Sequence, residues 1–313
     1  MTTTELFPSQ WQPQVVLMAA LRVGLIAELL DEPRTPGDVA AALSMDERAT
    51  LRVVAVLLDA GWLERRGDGL VVAPEVRPLL DRRGEEYMGD RLLHVHDLLG
   101  RWVQLPEVLH NGGPASFDRT AESLQAFIGS MRAGARERAE PLAERLATLF
   151  PRVRTVLDVG GGPGTQAFAF KRRGWQATVL DFPEVIELMA EPLAQESIAT
   201  IKADATQGIP AAGFDLVFCG NLFHSMSPSE CAAVVASCAG ALDAGGALAI
   251  LDFLRGDGLH ASLFAVNMLV ATSAGDAYGE DDYRRWCEHA GLGSFTVQQT
   301  PGQGQKLLTA IKS

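Results

Sequence analysis

Apolar residues at Val15, Val16, Met18, Leu21, Leu25, Leu29 and Leu30 recur every three or four positions, so one amphipathic helix is expected over residues 13 to 30. Thr35-Pro36 opens a second helix, Asp38 to Leu43, and Ser44 is placed to cap a third, from about Asp46 to Gly61. The period then changes. Trp62-Leu63-Glu64-Arg65 and Leu70-Val71-Val72 flank Arg66-Gly67-Asp68-Gly69, a hairpin signal in which the glycines are expected to accept positive φ. Three helices followed by a hairpin form a winged-helix pattern. Helical periodicity resumes from Met88 to Phe150, with a break at Asn111-Gly112-Gly113-Pro114.

After Pro151 short apolar runs alternate with helical stretches, the pattern of a parallel sheet with crossover helices. The expected strands are Thr155 to Val159, Gln176 to Leu180, Ile198 to Lys202, Asp215 to Cys219, Ala247 to Phe253, Phe295 to Gln298 and Leu307 to Ile311. The turn between the last two, Thr300 to Gly304, is too short for a crossover helix, so they should pair antiparallel. The expected fold is α/β: a seven-stranded Rossmann-like sheet over residues 151–313, preceded by an N-terminal winged-helix domain over residues 1–150, all-α apart from the wing.

Composition narrows the function classes. The formal net charge is −12, and residues 1–150 hold 16 Arg and Lys against 22 Asp and Glu. The would-be recognition helix carries Asp46, Glu47 and Asp59, so a nucleic-acid partner is disfavoured. No apolar run is long enough to span a membrane and residues 1 to 10 lack the character of a signal peptide, which leads to the expectation of a cytoplasmic protein. Cys219, Cys231, Cys238 and Cys287 show no CxxC spacing, and His94 and His96 lie two apart on a helix, so neither a disulfide frame nor a metal site is expected.

The chemistry concentrates at strand ends. Thr155 to Asp158 is an apolar strand ending in a carboxylate, followed by Gly160-Gly161-Gly162-Pro163-Gly164, a turn whose glycines let the backbone approach a ligand closely. The dinucleotide pattern needs a glycine where Thr165 stands, and Asp158 would repel phosphate. A ligand without phosphate but with a cation, such as the amino group of a methionine moiety, fits better. Asp181, ending the second strand, is placed to accept ribose hydroxyls, with Phe182 lining an adenine pocket, and Asp204-Ala205 after the third strand is placed at the adenine amino group.

His224 follows the fourth strand in Asn221-Leu222-Phe223-His224, at the same sheet edge, and Asp252 ends the fifth. An imidazole, with an ordinary pKa of about 6.5, can take a proton from a phenol, and a carboxylate can fix its tautomer and stabilise its charged form. Phe127 with Met131, and Phe264 with Met268, share helical faces and are expected to line an acceptor pocket.

Together these residues resemble the class I methyltransferases of the small-molecule O-methyltransferase type, which includes plant caffeic acid and bacterial antibiotic-tailoring enzymes. The resemblance runs through Trp102, Leu105 and Leu109, Phe127 with Met131, Leu157-Asp158-Val159-Gly160-Gly161-Gly162, Leu180-Asp181-Phe182-Pro183-Glu184-Val185-Ile186, Asp204, and His224 before Cys231. It implies a winged-helix dimerisation domain, hence a homodimer, with S-adenosylmethionine as cofactor and S-adenosylhomocysteine as product. It implies that Gly160, Asp181, Phe182, Asp204 and Ala205 bind the cofactor, and Asp158, Gly162 and Asn221 are expected at the same site. His224 is then the general base and Asp252 its acidic partner, and Met131 and Met268 contact a small-molecule acceptor. The chain departs from the family where the usual His-Asp-Trp run reads His224-Ser225-Met226, and where Gly220 replaces a basic residue. A second acid beside the base would fall near Ala277, for which Glu280 or Asp281 are the nearest substitutes. The competing expectations are C-, N- or S-methylation by positioning alone, and a non-catalytic winged-helix ligand sensor.

Overall fold

The computed structural model describes residues 11–114, 120–300 and 304–313. The chain forms two compact units, one of Met1–Gly100 with Arg119–Ala133, the other of Arg101–Asp118 with Gly134–Ser313.

In the first unit, helices α1 (Gln12–Arg22), α2 (Leu25–Glu28), α3 (Pro36–Ala42) and α4 (Glu47–Asp59) precede strands β1 (Leu63–Arg66) and β2 (Gly69–Val72), then α5 (Arg77–Leu80) and α6 (Gly89–Trp102). The single helix expected over residues 13 to 30 is broken, because Gly24 takes a left-handed φ of 82° and restarts the helix in a new direction. Thr35 caps α3 by accepting from the Asp38 N–H at 3.2 Å while Asp38 reaches back to the Thr35 N–H, a reciprocal capping box. Ser44 does not cap α4; its φ is 54°, and the Asp46 carboxylate accepts from the Ala49 N–H at 2.8 Å instead. Leu25, Ile26, Leu29, Val54, Leu57, Leu63 and Leu70 form the buried core.

Gly67 and Gly69 of the hairpin have different reasons to be glycine. Gly67 has a φ of 60°, as expected, whereas Gly69 has no positive φ; a Cβ there would meet Pro33 Cβ at 2.8 Å and Arg34 N at 2.9 Å. The backbone before α3 runs against the wing and bridges it, with Arg34 and Leu70 exchanging N–H···O bonds.

The second unit begins with the end of α6 and α7 (Leu105–Asn111), and the long helix α8 (Ala121–Leu149), with Pro141 inside it, passes from one unit into the other. Then follow β3 (Thr155–Val159), α9 (Thr165–Arg172), β4 (Gln176–Asp181), α10 (Pro183–Leu188), α11 (Ala190–Gln195), β5 (Ala199–Lys202) and β6 (Phe214–Gly220). After a single 3-10 turn at Phe223–Ser225 come α12 (Pro228–Ala241), β7 (Leu242–Phe253), α13 (Leu259–Ala271), α14 (Glu280–His289), β8 (Leu292–Gln299) and β9 (Gln305–Lys312).

The seven strands are ordered β5-β4-β3-β6-β7-β9-β8, the first five parallel and β9 antiparallel to both its neighbours. The chain moves outward from β3 through β4 to β5 and then returns to β6 on the other side. The crevice beyond the carboxyl ends of β3 and β6 is therefore the topological switch point, where open α/β sheets bind ligands. Strands β3, β6 and β7 are apolar almost throughout, since helices cover both faces, and one cluster including Leu157, Val217, Cys219, Cys238, Leu248 and Trp286 fills one side. All four cysteines are buried and free.

Candidate active site

Polar groups that are expensive to bury collect at this switch point. Asp158, the fourth residue of β3, is 2% exposed, and its Oδ2 has no hydrogen-bond partner. Burial, reinforced by the charge of Asp181, pushes its carboxyl up to about 8. A buried acid left one partner short is poised for a cationic group, which would restore its charged form. The glycines make the approach possible. Gly160 has a φ of 66° and Gly162 one of 49°, and a Cβ at Gly161 would lie 2.9 Å from Asp158 Cγ.

Asp181, at the end of β4, accepts from the Gly162 N–H at 2.8 Å and the Phe182 N–H at 2.8 Å, which aims the carboxylate back over the glycine turn. Burial raises its pKa and the two backbone donors oppose that rise. Each oxygen keeps a lone pair for a hydroxyl donor. Phe182 is 46% exposed beside it, an aromatic face open to a ligand. Asp204, beyond β5, uses Oδ1 to accept from the Thr206 N–H at 2.9 Å and hydroxyl at 2.7 Å, which orders the loop, with Ala205 half-buried against the core.

Asn221 leaves β6 with a left-handed φ of 57°, its N–H held by Leu251 O at 2.8 Å and its side-chain oxygen by Gln305 Nε2. Gln305 in turn accepts from Arg138 at 2.6 Å. Gln305 is buried yet polar, and only its place at the head of an apolar strand hinted at this. These donors and acceptors suit a ligand with an amino group, a sugar diol and a flat base but no phosphate, which is the chemistry of S-adenosylmethionine.

One strand away, His224 Nδ1 lies 2.7 Å from Oδ1 of the fully buried Asp252. The carboxylate also accepts from the backbone N–H groups of Phe253 at 2.9 Å and His224 at 3.3 Å, and from the Tyr283 hydroxyl at 3.3 Å. Phe264 presents its ring to His224 at a centroid distance of 4.7 Å and 90°, and packs on Phe253 at 4.3 Å. Met268, one turn further along α13, is buried. In the first unit, Phe127 is exposed and Met131 half-buried, one helical turn apart on α8.

The acids near Ala277 do not reach the base in place of a second carboxylate. Glu280 pairs with Arg284 and Asp281 is exposed, because both face outward on the first turn of α14. The residue on that helix that does reach Asp252 is Tyr283. No helix among the described residues is long and apolar enough to cross a membrane, and no metal-binding cluster is found among them.

A family model for an O-methyltransferase domain matches residues 118–293. The 3-hydroxy-5-methyl-1-naphthoate 3-O-methyltransferase of Streptomyces sahachiroi is 33% identical over 44% of this chain and 43% of its own length. The tetracenomycin polyketide synthesis 8-O-methyl transferase TcmO of Streptomyces glaucescens is 26% identical over 88% of this chain and 86% of its own. The solved structure of PigF with S-adenosylhomocysteine shares the fold at a TM-score of 0.84 and 20% identity, covering 100% of both chains. A methyl transferase named PigF from a Serratia species is 23% identical over 91% of this chain and 89% of its own length.

Proposed function

Since the chain belongs to the O-methyltransferase domain family, a group of S-adenosylmethionine-dependent enzymes, we propose that it methylates a phenolic hydroxyl of a small metabolite, with His224 as general base. The observation that carries this reading is the 2.7 Å contact between His224 and Asp252 on strand ends adjoining the glycine turn.

When bound, the cofactor supplies a methyl group on a positively charged sulfur, open to in-line displacement by an oxygen. Asp158 is the partner for its ammonium group, Asp181 for the ribose hydroxyls, Phe182 and Asp204 for the adenine; Gly160, Gly162, Ala205 and Asn221 complete the cradle. Asp252 holds the Nδ1 proton of His224, so the neutral ring carries its free lone pair on Nε2, where it accepts the acceptor's proton. The charge that then appears on the imidazole faces a buried carboxylate. Phe264 fixes the ring plane and, with Phe253, keeps water from that side. Removing the proton matters because a neutral phenol is a poor nucleophile, and general-base help is worth about 10² to 10⁴ in rate.

Residues 1–150 serve in this reading as a dimerisation and lid domain. Phe264 and Met268, beside His224 on α13, line the acceptor pocket in this reading. Val103, Leu109 and Leu259 leave 76%, 73% and 76% of their surface exposed, apolar area that a second copy would cover. Light scattering at micromolar concentration should give twice the chain mass; the mass of one chain would remove the homodimer.

The test of function is calorimetric titration with S-adenosylhomocysteine. Micromolar binding to the parent, abolished by Asp181→Ala, followed by turnover of phenolic acceptors that His224→Ala lacks, is the expected result. No binding to the parent would overturn the reading.

A further inference from the structure

Asp252 is fully buried, and no lysine or arginine among the described residues pairs with it. Its register partner on β9, Lys306, directs its ammonium to Asp257 Oδ2 at 3.0 Å. What stabilises the carboxylate is a complete set of donors. Oδ1 takes the His224 Nδ1–H and the Phe253 N–H, and Oδ2 takes the His224 N–H and the Tyr283 hydroxyl. Three of these come from the base and its own strand; the fourth is brought by a separate helix.

Tyr283 is fully buried, and its ring is pinned edge-on by Phe223 at 5.6 Å and Trp286 at 5.2 Å, with Tyr278 at 6.5 Å. A hydroxyl buried this deeply needs a partner, and Asp252 is the one it has. The second acid that the family resemblance places near Ala277 is absent, and Ala277 is itself buried.

We propose that Tyr283 is a positioning residue for the base, and that its hydroxyl, by spreading the charge of Asp252, tunes how tightly His224 holds a proton in an arrangement with one acid instead of two. The inference rests on His224 being the base. A carboxylate with four donors is a weaker proton acceptor than one with three, so Asp252 leaves the proton on Nδ1 and offers less stabilisation to the imidazolium.

The groups facing this pair from the surrounding elements are Cys231 on α12, Tyr278 and Tyr283 around α14, Lys306 at the start of β9 with Asp257 in the loop after β7, and His260, whose ring lies 5.3 Å from that of Phe253. Burial pushes the Cys231 thiol up to about 12 and holds both tyrosine hydroxyls above their ordinary range. These three groups stay neutral between pH 5 and 9. His260 has no direct contact with Asp252 among the described hydrogen bonds.

The experiment is an NMR titration of the His224 imidazole in the free protein, comparing the parent with Tyr283→Phe, alongside the pH profile of kcat/KM. Loss of one donor should raise the titration midpoint by about half a unit, roughly threefold in proton affinity, and move the acid limb of the profile by the same amount. Activity should fall two- to threefold on the acid limb and recover at higher pH, with S-adenosylhomocysteine affinity unchanged. An unmoved midpoint, or a loss uniform in pH, would overturn the proposal. Site-specific 3-fluorotyrosine at position 283, a stronger donor of the same shape, should move the midpoint downward and keeps the question answerable where Tyr283→Phe folds poorly. The titration needs neither acceptor nor turnover, so its failure is distinct from an inactive His224→Ala or from absent cofactor binding.

Discussion

His224 Nδ1 and Asp252 Oδ1 lie 2.7 Å apart although they stand 28 positions apart in the chain, because β6 and β7 are parallel neighbours whose carboxyl ends meet. The bond commits one ring nitrogen and leaves the other to chemistry. His224→Ala should lower kcat by about 10² to 10⁴ while leaving S-adenosylhomocysteine binding within about twofold. Asp252→Asn should cost a similar factor, since an amide can present its NH₂ to Nδ1 and stabilise the wrong tautomer. Equal rates for parent and His224→Ala on a phenolic acceptor would show that positioning alone suffices.

Asp158 predicts a pH dependence in the ligand-free protein. Its folded value of about 8 stands above the ordinary 3.8. Below pH 3.8 the carboxyl is neutral in both states and the stability it permits is fully present; as pH rises toward 8 the unfolded chain ionises while the folded one keeps its proton. Stability is therefore lost as pH climbs through that window and levels off above it. Asp158→Asn should melt several degrees higher than the parent at pH 8, with little difference near pH 4. Cofactor binding should release a proton around pH 7, read by calorimetry in buffers of different ionisation enthalpy, and Asp158→Asn should release none.

Gly161→Ala tests the cradle sterically, because this residue has no left-handed φ to confuse the result. The added Cβ would stand 2.9 Å from Asp158 Cγ and 3.0 Å from Val179 Cγ1, neither of which is the loose end of a flexible chain. A displaced Asp158 should weaken S-adenosylhomocysteine binding tenfold or more and cost about 1–3 kcal/mol of stability. Unchanged affinity by calorimetry would place the ligand elsewhere.

Gly69→Ala addresses the wing. Its Cβ would meet Pro33 and the Arg34 backbone below 3.0 Å, and backbone yields poorly. A loss of about 1–3 kcal/mol in denaturant unfolding is expected, whereas Asp68→Ala at the exposed tip should change little. Equal losses would mean that turn conformation, and not the contact with Pro33, governs this position.

Local patterns were readable wherever one strand or turn carries them. The change of period after Pro151 and the acids that close apolar runs marked β3, β4, β6 and β7, and with them the positions of Asp158, Asp181, His224 and Asp252. Contacts made across the fold were not readable. Tyr283 reaches Asp252 over 31 positions and Gln305 reaches Asn221 over 84, and neither carries a local signature. Ser44 and Asp46 are both good capping residues two positions apart, and composition does not say which one the chain will use. Gly69 resembles a turn glycine in sequence, and only the path of Pro33 shows why no side chain fits.

The strand order sets a constraint on assembly. β8 touches the sheet solely through β9, which wedges between it and β7. β8 therefore joins the sheet only together with β9, and the pairing of β9 with β7 is a long-range step that slows folding and leaves the β7 edge open meanwhile. Damage to Gln305–Lys312 would strand two ribbons at once, and would also sever Gln305 from Asn221 at the far end of the same ladder.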